Sequence, residues 1–267
     1  MNVPEPSSSA PDASPVSRSA VNGRGVSVIA ARGAVARSIL FSIGYVVSTV
    51  LFAIPSVFTY PLPFRYRYGF ISQWTRFNIW WLRVTCGLSF EVQGREHIPA
   101  TPSIIFCKHQ SAWETLALQL VFPPQVWVLK RELLWIPFFG WGLAMLDPIA
   151  IDRNAGRQAL KTLLEHGRQR LATGRWVVIF PEGTRVPPGE HRPFQFGGAK
   201  LAEHTGAPVV PVAHNAGYYW PRRSFLKQPG TIRLVIGPSI GTAGRKASEI
   251  NAEAERWIRE QMERLTP

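Results

Sequence analysis

Cysteine is scarce in this chain, and its scarcity limits the folds and sites that the chain can form. Cys86 and Cys107 are the two cysteines among 267 residues, and they lack the spacing of a metal or redox motif. A fold built on disulfides is therefore excluded and a reducing compartment is favoured, although two small buried hydrophobic side chains explain them equally well. The histidines other than His109 show no ligand spacing with one another or with the cysteines, so we expect no metal.

Acidic residues are also few. The chain has 17 Asp and Glu against 30 Lys and Arg, 24 of them Arg, which gives a formal net charge of +13. This balance suits an anionic partner, either nucleic acid or an acidic membrane surface. Ten tryptophans and a long uncharged segment favour the membrane, and we expect no nucleic-acid partner.

Three common functional signatures are missing. The sequence contains no Walker-type loop, no dinucleotide fingerprint and no Gly-x-Ser-x-Gly elbow. The last absence argues against a hydrolase with a serine nucleophile.

The N-terminal region divides into a tail and an apolar segment. Residues 1–24 are rich in Ser, Pro and Ala without periodicity, which predicts a disordered tail. A secretory signal is not expected, because the apolar run starts late and lacks a small-residue cleavage site. The arginines near the N-terminus leave an organelle transit peptide open, although Glu5 and Asp12 count against one.

Residues 25–88 are predicted to form a membrane-associated helical segment. No charged residue occurs from Ser38 to Phe64, and Ile39–Tyr60 has about the length that crosses a bilayer core. Pro55 would kink or end this helix. The next stretch, Phe70–Phe90, mixes Trp with Arg, as is typical of a helix at the headgroup level. A re-entrant hairpin and a true span both fit, and buried core helices are the alternative to either.

Beyond residue 88, short β-rich runs alternate with helical segments. This pattern predicts an α/β domain over residues 89–267, with a mixed, largely parallel sheet covered by helices. The β-rich runs are Phe90–Val92, Ser103–Phe106, Val126–Leu129, Trp176–Phe180, Val209–Val212 and Ile232–Ile236. The helical segments lie near residues 112–121, 155–172, 197–205 and 246–264.

His109 and Glu114 are the candidate catalytic residues. His109 follows the apolar run Ser103–Cys107, and the carboxyl ends of strands are where α/β sheets usually place their chemistry. If His109 lies in the turn before a helix and Glu114 in its first turn, the carboxylate can bind one ring nitrogen and leave the other free to accept a proton. Ser111 and Glu114 also fit a helix capping box, and this alternative does not exclude the catalytic pair.

The segment Phe180–Arg185, with the sequence Phe-Pro-Glu-Gly-Thr-Arg, is a candidate site for an anion. Gly183 permits a tight turn, Thr184 offers a hydroxyl, and the guanidinium of Arg185 suits two phosphate oxygens. Glu182 would repel a phosphate, so it is better placed to orient Arg185 or the turn. An ordinary surface loop with an incidental ion pair is the alternative.

Three further cations occupy comparable positions. Arg153 ends a short apolar run, Lys130 follows a predicted strand, and Lys200 follows a pair of glycines at a helix start. Each of them fits equally well as a solvated surface charge.

Four of these segments together resemble the PlsC-type glycerophospholipid acyltransferases, most closely the bacterial 1-acylglycerol-3-phosphate acyltransferases. His109–Glu114 is similar to the family's His-x4-Asp block, with Glu in place of the usual Asp. The run ending at Arg153 resembles the second block, Phe180–Arg185 matches the third without change, and Val209–Val212 is similar to the fourth. The resemblance covers about residues 70–240.

The resemblance implies direct acyl transfer from a thioester donor, acyl-CoA or acyl carrier protein, to the sn-2 hydroxyl of 1-acylglycerol 3-phosphate. His109 is then the general base, Glu114 orients its imidazole, and backbone donors near Gly183 stabilise the oxyanion. No cofactor and no covalent acyl-enzyme are expected. The implied phosphate site comprises Lys130, Arg153, Glu182, Gly183, Thr184, Arg185 and Lys200. The expected location is the bacterial inner membrane, in contact with membrane lipids and with the active site on the cytoplasmic side.

Two alternatives remain open at this point. In the first alternative, the same acyl transfer uses another lyso-lipid or glycerol 3-phosphate as the acceptor. In the second, the chain is a non-catalytic membrane adaptor that binds anionic lipid through its basic surface.

Overall fold

The computed structural model describes residues 22–265 of the chain, and their side chains from residue 33 onward. The tail prediction for residues 1–24 lies outside this range except for its last three residues, which belong to the first helix. The helices are α1 Asn22–Val57, α2 Phe64–Cys86, α3 Trp113–Val121, α4 Phe139–Ala144, α5 Arg157–Ala172, α6 Gly197–Thr205, α7 Ala216–Tyr219 and α8 Ala247–Arg264. The strands are β1 Leu88–Gln93, β2 Ile104–Cys107, β3 Gln125–Lys130, β4 Ile149–Ile151, β5 Trp176–Ile179, β6 Val209–His214 and β7 Gly230–Ile236.

Helices α1 and α2 form an antiparallel hairpin. Tyr45 packs on Trp74 with ring centroids 5.5 Å apart, and farther along α1 Phe52 packs on Phe70 at 5.6 Å. Later residues of α1 therefore contact earlier residues of α2, as expected for antiparallel helices. The stretch Gly33–Val57 is long and apolar enough to cross a membrane, and most of its residues are not fully buried in the protein.

Close packing of this hairpin depends on one glycine. Gly44 lies against the indole of Trp81, and a Cβ at Gly44 would come within 2.1 Å of the ring nitrogen. The same indole donates to the backbone carbonyl of Leu40 at 3.3 Å. Small residues at such positions let two helix backbones approach closely, as in membrane helix pairs.

The seven strands form one mixed sheet in the order β1-β7-β6-β2-β5-β3-β4. Strands β6 and β7 pair antiparallel, and every other neighbouring pair is parallel. The prediction of an α/β fold with a mixed, largely parallel sheet behind an N-terminal helical segment is confirmed. Strand β2, which leads into His109, lies at the centre of the sheet.

Both faces of the sheet are covered by helices. Because alternate residues of a strand point to opposite sides, neighbouring residues of the central strands pack in different clusters. On β2, Ile105 packs in the cluster that contains Leu82 of α2 and Leu118 of α3. Its neighbour Ile104 packs in the other cluster, with Leu201 of α6. All four residues of β2 are buried, which explains why the strand reads as an apolar run without alternation.

Three elements were not predicted as such. Strand β4 covers Ile149–Ile151, which the sequence shows only as a short apolar run before Arg153. Helices α4 and α7 have six and four residues, too few for a helical period to be visible. The stretch Phe70–Phe90, predicted as one interfacial helix, contains the end of α2 and the first residues of β1.

The hairpin is tied to the α/β domain by a buried arginine. Both terminal nitrogens of Arg67 on α2 donate to the carboxylate of Asp147, at 3.2 and 3.0 Å. Arg175, just before β5, donates to the same carboxylate at 2.8 Å. Asp147 thus joins α2 to the sheet through charge-assisted hydrogen bonds, the stronger kind in proteins.

A second tie lies near the start of the described part of α1. The ammonium of Lys227 lies 5.1 Å from the ring centroids of Phe41, Trp220 and Phe225. The backbone N–H of Lys227 donates to the buried hydroxyl of Ser38 at 3.0 Å. Phe41 and Ser38 belong to α1, so this aromatic cage holds the helix against the domain.

We predict that Gly44→Ala destabilises the protein, because the added methyl group clashes with Trp81 and the helices must separate. Overpacking of this kind costs about 1–3 kcal/mol. The measurement is the midpoint of thermal unfolding in detergent. Gly69→Ala is the matched control, since a Cβ at this exposed position on α2 meets nothing within 4 Å. Equal midpoints for the two variants would contradict the close packing described above.

Candidate active site

His109 leaves the sheet at its centre. The ladder of β2 with β6 continues to Lys108, whose N–H donates to the carbonyl of Val212 at 3.0 Å, and the chain turns away at the next residue. Helix α3 starts four residues later, at Trp113. The histidine therefore lies in the turn between strand and helix, at the carboxyl end of a parallel strand.

The imidazole of His109 is held on two sides. Its Nδ1 lies 2.8 Å from Oε1 of Glu114, and its ring stacks on Phe180 with centroids 4.0 Å apart and planes inclined by 16°. No described residue hydrogen-bonds its Nε2. Because a carboxylate accepts and cannot donate, Nδ1 carries the hydrogen and Nε2 is left with its lone pair.

Glu114 is fully buried and makes contacts on all sides. Its carboxylate accepts the N–H groups of Gln110 at 3.0 Å and Ser111 at 2.8 Å in addition to the bond with His109. Burial alone would raise the pKa of Glu114, but its interactions with His109 and His214 and the hydrogen bond from Ser111 outweigh it and lower the pKa. The carboxylate is therefore ionised at neutral pH.

The capping contacts and the histidine contact coexist. The hydroxyl of Ser111 accepts the N–H of Trp113 at 3.2 Å, while the carboxylate of Glu114 accepts the N–H of Ser111 in return. The pattern resembles a capping box, but the hydroxyl binds the N–H of Trp113 in place of that of Glu114, and the N-cap residue is Ala112. One side chain thus starts helix α3 and orients the imidazole.

His214, at the end of β6, was not singled out from the sequence. Its Nε2 donates to the carbonyl of Lys108 at 2.8 Å, and its Nδ1 accepts the N–H of Ala216 at 3.2 Å. Burial lowers the pKa of His214, against the opposing charge of Glu114, whose carboxylate lies 3.9 Å away. With both nitrogens occupied, this neutral imidazole supports the backbone beneath His109. Its isolated position in the sequence gave no signal.

Lys108 and Glu182 form an ion pair inside the protein. Their side chains are 3% and 1% exposed, and the ammonium of Lys108 donates to one carboxylate oxygen of Glu182. The other oxygen accepts the N–H of His109 at 2.9 Å. Burial raises the pKa of Glu182, whereas the charge of Lys108 and these hydrogen bonds act in the opposite direction. Glu182 therefore joins its own loop to the backbone of the candidate base.

The loop after β5 is fixed beside His109. Gly183 has φ of 70°, the left-handed region that favours glycine, and a Cβ there would come within 2.7 Å of the Gln195 side chain. Its N–H already donates to the carbonyl of Phe180 at 2.9 Å, so this expected oxyanion donor is in use. The N–H of Val186 donates to the carbonyl of His109 at 2.8 Å.

A cavity of about 230 Å³ adjoins His109 and lies between the hairpin and the domain. Residues of α1, α2, α3, β3 and α4 contribute to its wall, so the hairpin forms part of the site. Most of the wall is apolar or aromatic: Tyr45, Phe52, Ile71, Trp74, Leu116, Trp127, Leu129, Phe139, Leu143 and Leu146. A wall of this composition suits a hydrocarbon chain.

Three of the predicted cations line the same cavity as His109. They are Lys130 at the end of β3, Arg153 after β4 and Arg185 in the loop after β5. Arg153 donates to the carbonyl of Gly183, which joins the second and third blocks. Within residues 22–265, the buried Nε of Arg185 has no hydrogen-bond partner, so this guanidinium can still donate to an anion.

The remaining predicted phosphate ligands lie elsewhere. Lys200 is exposed on α6, does not line the cavity, and pairs with Glu203 at 3.5 Å. Glu182 turns its carboxylate to Lys108, as described above, because an ion pair compensates its burial. Gly183 and Thr184 form the turn before Arg185 without lining the cavity wall. Over residues 22–265, no group of three His, Cys, Asp or Glu side chains is placed to hold a metal ion.

We predict that Glu182→Gln strongly destabilises the protein, because Lys108 is then buried without a counter-charge. Breaking a buried pair in this way costs about 3–5 kcal/mol. Thermal unfolding in detergent measures the effect. Glu203→Gln is the matched control, since it breaks the exposed pair with Lys200, and such pairs contribute about 0–1 kcal/mol. If Glu182→Gln unfolds at the same temperature as the control, the ion pair does not stabilise the fold.

Comparison with known proteins places this geometry in a family. Residues 89–215 match the family model described as Acyltransferase. The 1-acyl-sn-glycerol-3-phosphate acyltransferase of Pseudomonas aeruginosa is 49% identical over 236 residues, which cover 86% of this chain and 92% of that protein. The alpha form of the same enzyme from Homo sapiens is 31% identical over 175 residues, 64% of this chain and 61% of its own length.

A solved structure shares the fold. The crystal structure of the 1-acyl-sn-glycerophosphate (LPA) acyltransferase PlsC from Thermotoga maritima superposes with a TM-score of 0.72. It is 24% identical in sequence, and the match covers 86% of this chain and 94% of that one. The four sequence blocks, the likeness to the Pseudomonas enzyme over most of both chains, and the shared fold agree: the chain belongs to the PlsC-type glycerophospholipid acyltransferase family.

Proposed function

We propose that the protein transfers a fatty acyl group from a thioester donor, acyl-CoA or acyl carrier protein, to the sn-2 hydroxyl of 1-acylglycerol 3-phosphate. The product is phosphatidic acid, and no cofactor takes part. The observation that carries this proposal is one cavity with three elements: an imidazole oriented by a buried carboxylate, three cations, and an apolar wall. The relative that is 49% identical, a 1-acyl-sn-glycerol-3-phosphate acyltransferase, supports the same acceptor.

In the proposed mechanism, Nε2 of His109 removes the proton from the acceptor hydroxyl as its oxygen attacks the thioester carbonyl. A tetrahedral intermediate forms, the C–S bond breaks, and the new ester C–O bond remains. The departing thiolate then takes the proton back from Nε2. Glu114 keeps the hydrogen on Nδ1 and stabilises the imidazolium, the part that the carboxylate plays in catalytic triads.

The cations would bind the phosphate of the acceptor. A phosphate beside Arg153 and Arg185 accepts charge-assisted hydrogen bonds, the kind that guanidinium groups make best with anions. The free Nε of Arg185 supports this assignment, and Lys130, an exposed residue that pairs with Glu132 at 2.9 Å, adds a further positive charge at the edge of the cavity. Lys200 is not part of the proposed phosphate site.

The apolar wall would hold the hydrocarbon chains of the substrates. Each buried methylene contributes about 0.8 kcal/mol, so a cavity lined by aromatic and aliphatic side chains binds an acyl chain strongly. The hairpin supplies part of this wall through Tyr45, Phe52 and Trp74. Acyl-chain binding and docking of the hairpin are therefore expected to depend on each other.

The enzyme would work at a membrane. Helix α1 exposes many of its large apolar side chains, including Ile43, Val46 and Leu51, where no other part of the described protein covers them. Since acceptor and product are lipids, an active site beside such a helix receives them directly from the bilayer. The proposed location is the bacterial inner membrane with the site on the cytoplasmic side, where thioester donors are present.

We predict that Glu114→Gln lowers kcat by about 10⁴-fold, the loss seen when a triad carboxylate becomes an amide. The amide donates to Nδ1, so the hydrogen moves to Nε2 and the base is lost. The amide oxygen still accepts the N–H of Ser111, so the fold should survive. Thiol release from acyl-CoA with lysophosphatidic acid as acceptor measures the rate.

Glu114→Asp is the matched variant for this test. It keeps the charge and supplies the residue usual in the family, although the carboxylate is one methylene shorter. We expect it to retain far more activity than the amide. Equal losses of activity in both variants would show that His109 does not require a negative charge at this position. Full activity of His109→Ala would show that His109 is not the general base.

We predict that Arg185→Gln raises KM for lysophosphatidic acid by about tenfold or more, because a charge-assisted hydrogen bond to phosphate is lost. The KM for acyl-CoA at saturating acceptor should change much less. Lys200→Gln is the matched control, since it removes a charge that lies outside the cavity. A larger effect at Lys200 than at Arg185 would contradict this phosphate site.

A further inference from the structure

The segment Leu133–Leu143, here called the portal segment, combines two properties. On one side it lines the cavity through Leu133, Phe138, Phe139 and Leu143. On the other side it exposes large apolar side chains, with Trp135 67% and Trp141 45% exposed. A soluble surface rarely carries such side chains together, so they mark a contact site.

The cavity opens beside this segment. Of all the side chains that line it, three are exposed: Lys130, Leu133 and Arg153. Leu133 belongs to the portal segment, and Lys130 precedes it closely in the chain. The mouth of the cavity is therefore bordered by the portal segment and by two of the cations.

A strained turn holds the segment in place. Phe138 has φ of 62° and ψ of −61°, and the N–H of Phe139 donates to the carbonyl of Pro137 at 2.7 Å. These values define a γ-turn of the rare, strained kind. The ring of Phe138 lines the cavity and packs on Trp141, with centroids 4.9 Å apart. Strain of this kind persists where the surroundings require one conformation.

The portal segment lies directly beside the hairpin. Helix α4 packs on α1, where Gly142 lies against Ser56. Next to the exposed aromatics, Arg131 lies 5.9 Å from the ring centroid of Trp135. Aromatic side chains with neighbouring cations are typical of the interface between an anionic bilayer and water.

We propose that the portal segment inserts into the surface of an anionic phospholipid bilayer and admits the lipid acceptor sideways from one leaflet into the cavity. This inference rests on the proposed function, because it names the route by which that acceptor arrives. A lipid that enters this way keeps its chain in an apolar environment while its phosphate passes Lys130 and Arg153.

The test compares one acceptor chemistry in two physical states. The double variant Trp135→Ser/Ile136→Ser is assayed in the full chain with long-chain lysophosphatidic acid in phosphatidylglycerol vesicles and with hexanoyl lysophosphatidic acid free in solution. We expect kcat/KM to fall by about tenfold or more on vesicles and to change by less than about twofold in solution. Phe196→Ser, which removes an exposed aromatic outside the cavity wall, should alter neither value.

A labelling experiment measures membrane contact independently of activity. Cys86 and Cys107 are buried, so an environment-sensitive fluorophore reacts selectively with an exposed cysteine introduced by Trp135→Cys. Anionic vesicles should shift its emission to the blue, and a quencher attached to lipid should reduce it. The label introduced through Phe196→Cys should not respond.

The outcomes separate the two proposals. Wild-type protein that acylates neither acceptor overturns the proposed function, whatever the label shows. Wild-type activity on both acceptors, combined with equal losses of the double variant in vesicles and in solution, overturns the portal. A label at position 135 whose emission does not change when vesicles are added also overturns the portal proposal.

Discussion

Two buried carboxylates hold one histidine, and the arrangement of the site depends on them. Glu114 binds the ring of His109, while Glu182 binds its backbone N–H and neutralises Lys108. The first carboxylate comes from the same turn and the second from a loop more than seventy residues later. Since charges without partners are very costly inside a protein, the two loops are stable only when they meet. The ion pair therefore couples the loop after β5 to the turn that carries His109.

The hairpin belongs to the site as much as the sheet does. Arg67 and the aromatic cage around Lys227 fasten it to the α/β domain, and its side chains complete the cavity wall. An α/β domain without the hairpin would keep the imidazole and lose part of the apolar cavity wall. The apolar segment is therefore part of the cavity wall in addition to any anchoring that it provides.

Much of this architecture could be predicted from the sequence because its signals are local. The buried strands read as apolar runs, and α5 and α8 show a helical period, so their positions were predicted within a few residues. The roles of Lys108, Glu182 and His214 could not be predicted, because each depends on a partner distant in sequence. Glu182 illustrates the limit: its position near Arg185 in the chain suggested that it orients that guanidinium or the turn, yet its carboxylate pairs with Lys108. Lys200 follows a glycine pair, as an anion ligand would, but α6 carries it to the outer surface.

The missing side chain at Gly44 has a consequence beyond helix packing. Tyr45, its neighbour, and Phe52 two turns later line the cavity, so the separation of α1 from α2 sets the width of the cavity on that side. In the proposed function this cavity holds the acyl chain, and its width is set at a helix contact that touches neither the imidazole nor the cations. Under that proposal, chain-length selectivity depends on the hairpin and catalysis on the sheet, so the two can change independently.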